Sequence, residues 1–174
     1  VWRRRGFALA AWLVLISAGG CSRSMEKEIG EEAWTVVGAA DQVEVLRLSY
    51  GADLSSLKPG APFFGANPVG KPVVPPSEWT DELRALLRNP EGFEWEAAKG
   101  CLPTPGVAVR FTSGGRQADL LLCFECRLLA LGMTPAAGGG PPQQWLDFEH
   151  SRAAFVRLAK QALPSDKEIQ ALPE

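Results

Sequence analysis

Across residues 41–48 polar and apolar side chains alternate, with Val43 and Val45 in one row, Arg47 continuing it, and Glu44, Leu46 and Leu48 in the other. That period of two predicts a strand and leaves open which face is buried. A clearer stretch lies further on. Val107, Val109 and Phe111 alternate with Ala108 and Arg110, Ser113-Gly114-Gly115 supplies a turn, and Leu120-Leu121-Leu122 is continuously apolar. A hairpin is expected there, with its second strand inside the sheet. A third run at residues 127–131 extends it to an antiparallel meander.

Helical spacing takes over elsewhere. Trp79, Leu83, Leu86 and Leu87 follow Ser77, which reads as an N-cap, and Glu78, Asp81 and Glu82 load the first turns with charge that suits the dipole. Asn89-Pro90 ends that helix. Phe93 and Trp95 then alternate with Glu94 and Glu96 in a short extended piece. Phe155, Leu158, Ala159 and Ala162 form one stripe on a helix expected over residues 149–163, which Pro164 stops. Ser165 and Glu168 have the spacing of a capping box for a last short helix reaching about residue 172. Residues 51–76 carry six prolines and several glycines, which predicts a long irregular loop packed on the body through Phe63, Phe64, Val69, Val73 and Val74. A flexible loop is expected at residues 138–142. Together these elements predict an α+β domain, an antiparallel sheet with helices on one face.

The first twenty residues have a different character. Arg3, Arg4 and Arg5 precede an apolar run over residues 7–16 and the small residues Ser17-Ala18-Gly19-Gly20, the three-part design of a secretory signal peptide. The run is about half the roughly 20 residues a membrane-spanning helix needs. Residues 15–21 resemble the lipobox of bacterial lipoproteins, with Ala18 where leucine is commonest. That resemblance implies lipidation at Cys21, a membrane anchor through that lipid, and, from Ser22 in place of an aspartate, outer-membrane sorting. Residues 22–32 are short, charged and polar. The expected organisation is a signal peptide at 1–20, a flexible tether at 21–32 and one globular domain at 33–174.

Charge narrows the partners. Without the three arginines of the signal, 15 basic residues face 20 acidic ones, a net charge of −5, which argues against nucleic acid as a partner. No G-x-S-x-G, H-E-x-x-H or phosphate-binding glycine loop is present, and His150 is the sole histidine. The sequence points to no cofactor.

Three cysteines remain beyond Cys21, and three readings of them stay open. In the first, one structural disulfide joins Cys101 to Cys123 or Cys126, or joins Cys123 to Cys126, leaving one buried thiol. In a regular strand Cys123 and Cys126 would face opposite ways and could not bond, unless Phe124-Glu125 turns the chain. A redox-active C-x-x-C at Cys123 and Cys126 is the second reading, although the motif follows a strand pattern and encloses Glu125. The third is a zinc site using Cys101, Cys123, Cys126 and His150.

The segment Cys101-Leu102-Pro103-Thr104-Pro105-Gly106-Val107-Ala108-Val109-Arg110, followed by Cys123-Phe124-Glu125-Cys126, resembles an uncharacterised family of small exported bacterial lipoproteins with a C-x-x-x-P-G-[VI]-x-x-R core and a C-F-x-C. About half the chain beyond the signal takes part, including a C-terminal helix like that of residues 148–163. The resemblance implies that Cys101, Pro105, Arg110, Cys123 and Cys126 share one structural centre, and it implies no activity. The functional expectation is an envelope lipoprotein, lipid-anchored at the outer membrane or on the periplasmic face, with a non-enzymatic domain that binds or scaffolds an envelope protein or ligand. A thiol-active protein and a zinc-stabilised domain are the alternatives.

Overall fold

A computed structural model describes residues 24–49, 62–96, 99–134 and 144–174. Six antiparallel strands form one sheet in the order β2-β1-β3-β4-β5-β6. They are β1 (Gln42–Ser49), β2 (Asn67–Val73), β3 (Val107–Ser113), β4 (Arg116–Cys123), β5 (Leu128–Met133) and β6 (Leu146–Asp147). Among the described residues five α-helices accompany them: α1 (Met25–Ile29), α2 (Glu31–Ala39), α3 (Ser77–Arg88), α4 (Arg152–Ala162) and α5 (Lys167–Gln170). The fold is α+β, as the alternation of patterns predicts, and the expected meander is β3-β4-β5.

Both sides of the sheet are apolar, which explains why the alternation in β1 did not reveal a buried face. Val43, Val45, Val107, Val109, Phe111, Leu120, Leu122, Leu129 and Leu131 point toward the helices and meet Val36, Leu83, Phe155, Val156 and Leu158 in the main core. Each large side chain sealed this way contributes roughly 1.5–3 kcal/mol. The opposite rows, Leu46, Leu48, Ala108 and Leu121, lie under Phe63, Ala66 and Trp145.

The β3–β4 connection is a two-residue hairpin, because Ser113 pairs with Arg116. Gly114 and Gly115 both take positive φ (55° and 79°), the backbone a I′ turn demands and the reason two glycines sit there. The stripe on α4 packs as expected, with Phe155, Leu158, Ala159 and Ala162 all buried. The indole N–H of Trp79 donates to the Leu158 carbonyl at 2.9 Å and locks α3 to α4. Arg84 reaches from α3 to the carbonyls of Val37 and Ala40 (3.0 and 3.2 Å), satisfying acceptors that the end of α2 leaves open.

Four expectations need correction. Within the expected tether at residues 21–32, Met25–Ile29 form a helix that Gly30 separates from α2, and Met25 is driven into the core, where it is 2% exposed. The proline-rich loop contains β2. Prolines are tolerated there because the strand lies at the sheet edge, with β1 as its one strand neighbour, and Val69 stays exposed. At the start of α3 the N-cap is Pro76, and Ser77 is already helical. The cap of α5 is Asp166, whose carboxylate accepts from the Ile169 N–H at 2.9 Å, rather than Ser165; the ionised oxygen is the stronger acceptor. The signal peptide, Cys21 and the glycine-rich loop at 138–142 lie outside the described residues.

Candidate functional site

One end of the sheet brings together Cys101, Cys123, Cys126, Pro105 and Arg47. β1 ends there at Ser49, β3 starts there, and a four-residue loop over residues 124–127 joins β4 to β5, with Arg127 at φ 58° closing it. That loop brings Cys126 back toward the segment before β3, and Cys126 is bonded to Cys101 across 25 residues, with Cα atoms 6.1 Å apart. Cys123 stays a free thiol, 0% exposed, and receives a hydrogen bond from the Thr104 N–H at 3.4 Å. One disulfide and one buried thiol is the first of the three sequence readings. The turn at Phe124-Glu125 that would free the C-x-x-C from strand geometry is present, yet the two sulfurs of that motif are not bonded to each other.

The zinc set is not assembled. Cys101 and Cys126 use their sulfurs on each other, and His150 lies in an exposed turn, with Nδ1 3.2 Å from the Glu91 carbonyl and Nε2 3.3 Å from the Glu94 carboxylate. Among the described residues no group of three or more histidine, cysteine or acidic side chains could hold a metal ion. Pro105 is buried beside the cysteines, where the Gly106 N–H bonds the Leu122 carbonyl at 3.0 Å. Arg110 is not part of that centre. It pairs in register with Asp119 while Val107 pairs with Leu122, which sets it three positions, about 10 Å, along the strand.

Arg110 has its own role. Nε and Nη2 grip both oxygens of Asp119 at 2.8 and 3.0 Å, and the guanidinium lies 4.7 Å from the centre of the Phe63 ring. The hydrogen bond that Arg110 donates to Asp119 raises the Arg110 pKa above its ordinary value, outweighing burial. A charge-assisted fork fixed between adjacent strands is a structural device of the second sheet face.

Between the disulfide-tied loops and α5 lies a cleft of about 410 Å³, lined by Arg47, Ser49, Thr104, Pro105, Gly106, Phe124, Glu125, Glu168, Ile169 and Leu172 among others. Arg47 organises it. Its Nε donates to Asp166 at 2.9 Å, Nη1 to the Gly106 carbonyl at 2.9 Å and to the Leu48 carbonyl, and Nη2 to Glu168. Gly106 is needed for this approach, since a Cβ there would stand 3.3 Å from Nη1. Burial alone would raise the Asp166 pKa, but the Ile169 N–H and the Arg47 guanidinium outweigh it and hold the carboxyl below its ordinary value.

On the far side of the same loops, Lys99 bonds the Cys126 carbonyl at 3.1 Å and pairs at 2.6 Å with Asp147, whose side chain is 1% exposed. Arg127 and Glu149 pair alongside. The loop walls of the cleft are thus fixed three ways, by the disulfide, by Lys99 and by the sheet.

The sequence pattern marked the cysteines and Pro105 but not Arg47, Glu125, Glu168 or Lys99. The one available signal was the intrusion of Arg47 into an otherwise apolar row of β1, and its partners lie about 120 positions away. Comparison of the chain with protein-family models, with curated proteins and with solved structures found no match in any of the three.

Proposed function

We propose that the chain is a lipid-anchored protein of the bacterial envelope, held through Cys21, whose domain binds a ligand or partner in the Arg47 cleft without turning it over. The observation that carries the reading is the Cys101–Cys126 bond, which ties the segment of Thr104, Pro105 and Gly106 to the loop of Phe124 and Glu125 and so fixes two walls of one cavity. A disulfide in that position suits an oxidising compartment, in keeping with the signal-like start of the chain. Rigid walls favour binding because less freedom is lost when a ligand enters.

The lining chemistry argues against catalysis. Among the described residues it offers the hydroxyls of Ser49 and Thr104 and the carboxylates of Glu125 and Glu168 but no histidine, cysteine or lysine, and Glu168 is engaged by Arg47. With no imidazole, thiol or amine among the described residues of that lining, the usual nucleophile–base pairs of covalent catalysis are not assembled there. Among the described residues no helix is long and apolar enough to cross a membrane.

Two measurements test the proposal. Radiolabelled palmitate is expected to enter the protein in cells and to be lost in Cys21→Ser; label retained in that variant would overturn the anchor. Chemical-shift mapping of a fragment library on the mature chain is expected to concentrate at Thr104, Gly106, Glu125 and Ile169, and shifts confined to other surfaces would overturn the cleft.

A further inference from the structure

We infer that the cleft takes a primary ammonium group carried on an apolar body. This rests on the reading of the cleft as a binding site and adds the chemistry of what enters it.

The argument begins with what the cleft rejects. Among the described residues Arg47 is the one cation of the lining, and four of its five N–H donors are committed to Asp166, Glu168 and the carbonyls of Leu48 and Gly106. No fork remains to receive a carboxylate or phosphate, and two carboxylates already offset the guanidinium charge. Glu125 is different. It is exposed on the loop after β4, and among the described residues no ion pair or hydrogen bond engages its carboxylate. Among the described residues the lining carries one positive and two negative charges, Arg47 against Glu125 and Glu168. An anion would enter against that balance, whereas a cation gains Glu125 directly.

Size and polarity select the rest of the ligand. The buried residues Pro105, Phe124 and Ile169 and the half-buried Leu172 give the lining its apolar part. A space of about 410 Å³ lies within the range of small-ligand sites and accepts an alkyl or aryl group of several carbons. An ammonium on a short apolar chain therefore satisfies both kinds of lining residue, the exposed Glu125 carboxylate and the apolar side chains. A free alkylamine and the lysine side chain of a peptide both supply this chemistry.

The test uses the mature chain with Cys21→Ser, labelled with ¹⁵N and titrated with hexylammonium, hexanoate, hexanol and the capped tripeptide Leu-Lys-Leu. Hexylammonium or the tripeptide is expected to shift the amides of Thr104, Gly106, Glu125 and Ile169, the tighter of the two naming the source. Hexanoate is expected to leave them in place, and Glu125→Gln, an exposed substitution that spares the fold, to weaken ammonium binding about fivefold. Hexanoate or hexanol binding there at least as tightly, or Glu125→Gln binding as well as the parent, overturns the ammonium inference while the cleft still stands as a site. Absence of shifts there with all four probes overturns both.

Discussion

Arg47 and Asp166, 119 positions apart in the chain, are joined by a 2.9 Å bond from Nε to Oδ2, and that bond sets the end of the polypeptide against the sheet. Asp166 also caps α5, so one carboxylate both starts the last helix and docks it. Removing Arg47 strips four acceptors at once. Arg47→Ala is expected to lower unfolding stability by about 2–3 kcal/mol, because partly buried carbonyls lose their partner. Denaturant melts of the two proteins measure this, and an unchanged midpoint would show the bond to be incidental.

The same carboxylate confers a pH dependence. Since its folded pKa lies below the ordinary value, Asp166 contributes stability that is fully present above the unfolded value of about 3.9 and is lost as pH falls through the folded one. Amide exchange at Ile169, whose N–H the carboxylate accepts, is expected to accelerate below about pH 4 beyond the intrinsic rate. In Asp166→Asn this acid-dependent step should vanish.

Breaking the staple should cost more than breaking a surface contact. The Cys101–Cys126 bond closes a loop of 25 residues, for which chain entropy gives about 3 kcal/mol. Cys101→Ser is expected to lose about that much stability. Native alkylation of the parent should leave all three domain cysteines unlabelled, and alkylation after unfolding without reductant should label Cys123 alone among them. Labelling of Cys126 under either condition would contradict the pairing.

Arg110 and Asp119 bear on the second sheet face. Asp119→Ala leaves a partly buried guanidinium without its fork and is expected to destabilise by about 3 kcal/mol. The double variant Arg110→Met with Asp119→Leu, which removes both charges, should recover most of that loss. A double variant as unstable as Asp119→Ala would mean that packing over Phe63, and not charge compensation, sets the cost.

Gly92 offers a purely steric check. A Cβ at this position would lie 3.1 Å from the Ser151 hydroxyl, which is buried and donates to the Gly92 carbonyl at 2.9 Å. Gly92→Ala is expected to cost about 1–2 kcal/mol in thermal unfolding, and Ser151→Ala in the same chain to relieve part of it.

What could be read from the chain and what could not divides along physical lines. The β3–β4 hairpin was legible because alternation and Gly114-Gly115 are both local, and α4 because Phe155, Leu158, Ala159 and Ala162 keep one helical face. β2 was not, since Pro68 and Pro72 bar a strand from a sheet interior and only its edge position, a tertiary fact, admits them. α1 escaped notice because a five-residue polar helix gains its stability from Met25 entering a core built by other segments. Cysteine pairing depends on how a loop of four residues turns, which spacing does not encode. Arg47 belongs to the same class: its partners Asp166 and Glu168 have no local relation to β1, so nothing along the sequence joins them.

The central claim is that the cavity between Arg47, Gly106 and Glu125 is a binding site whose walls the Cys101–Cys126 bond holds in place. Its most direct test is one ¹⁵N chemical-shift titration of the mature chain, run on the oxidised and on the reduced protein at the same ligand concentrations. Ligand shifts at Thr104, Gly106 and Glu125 in the oxidised form, lost or weakened on reduction, are the expected result. Shifts that ignore these residues, or that persist unchanged once the disulfide is opened, would contradict it.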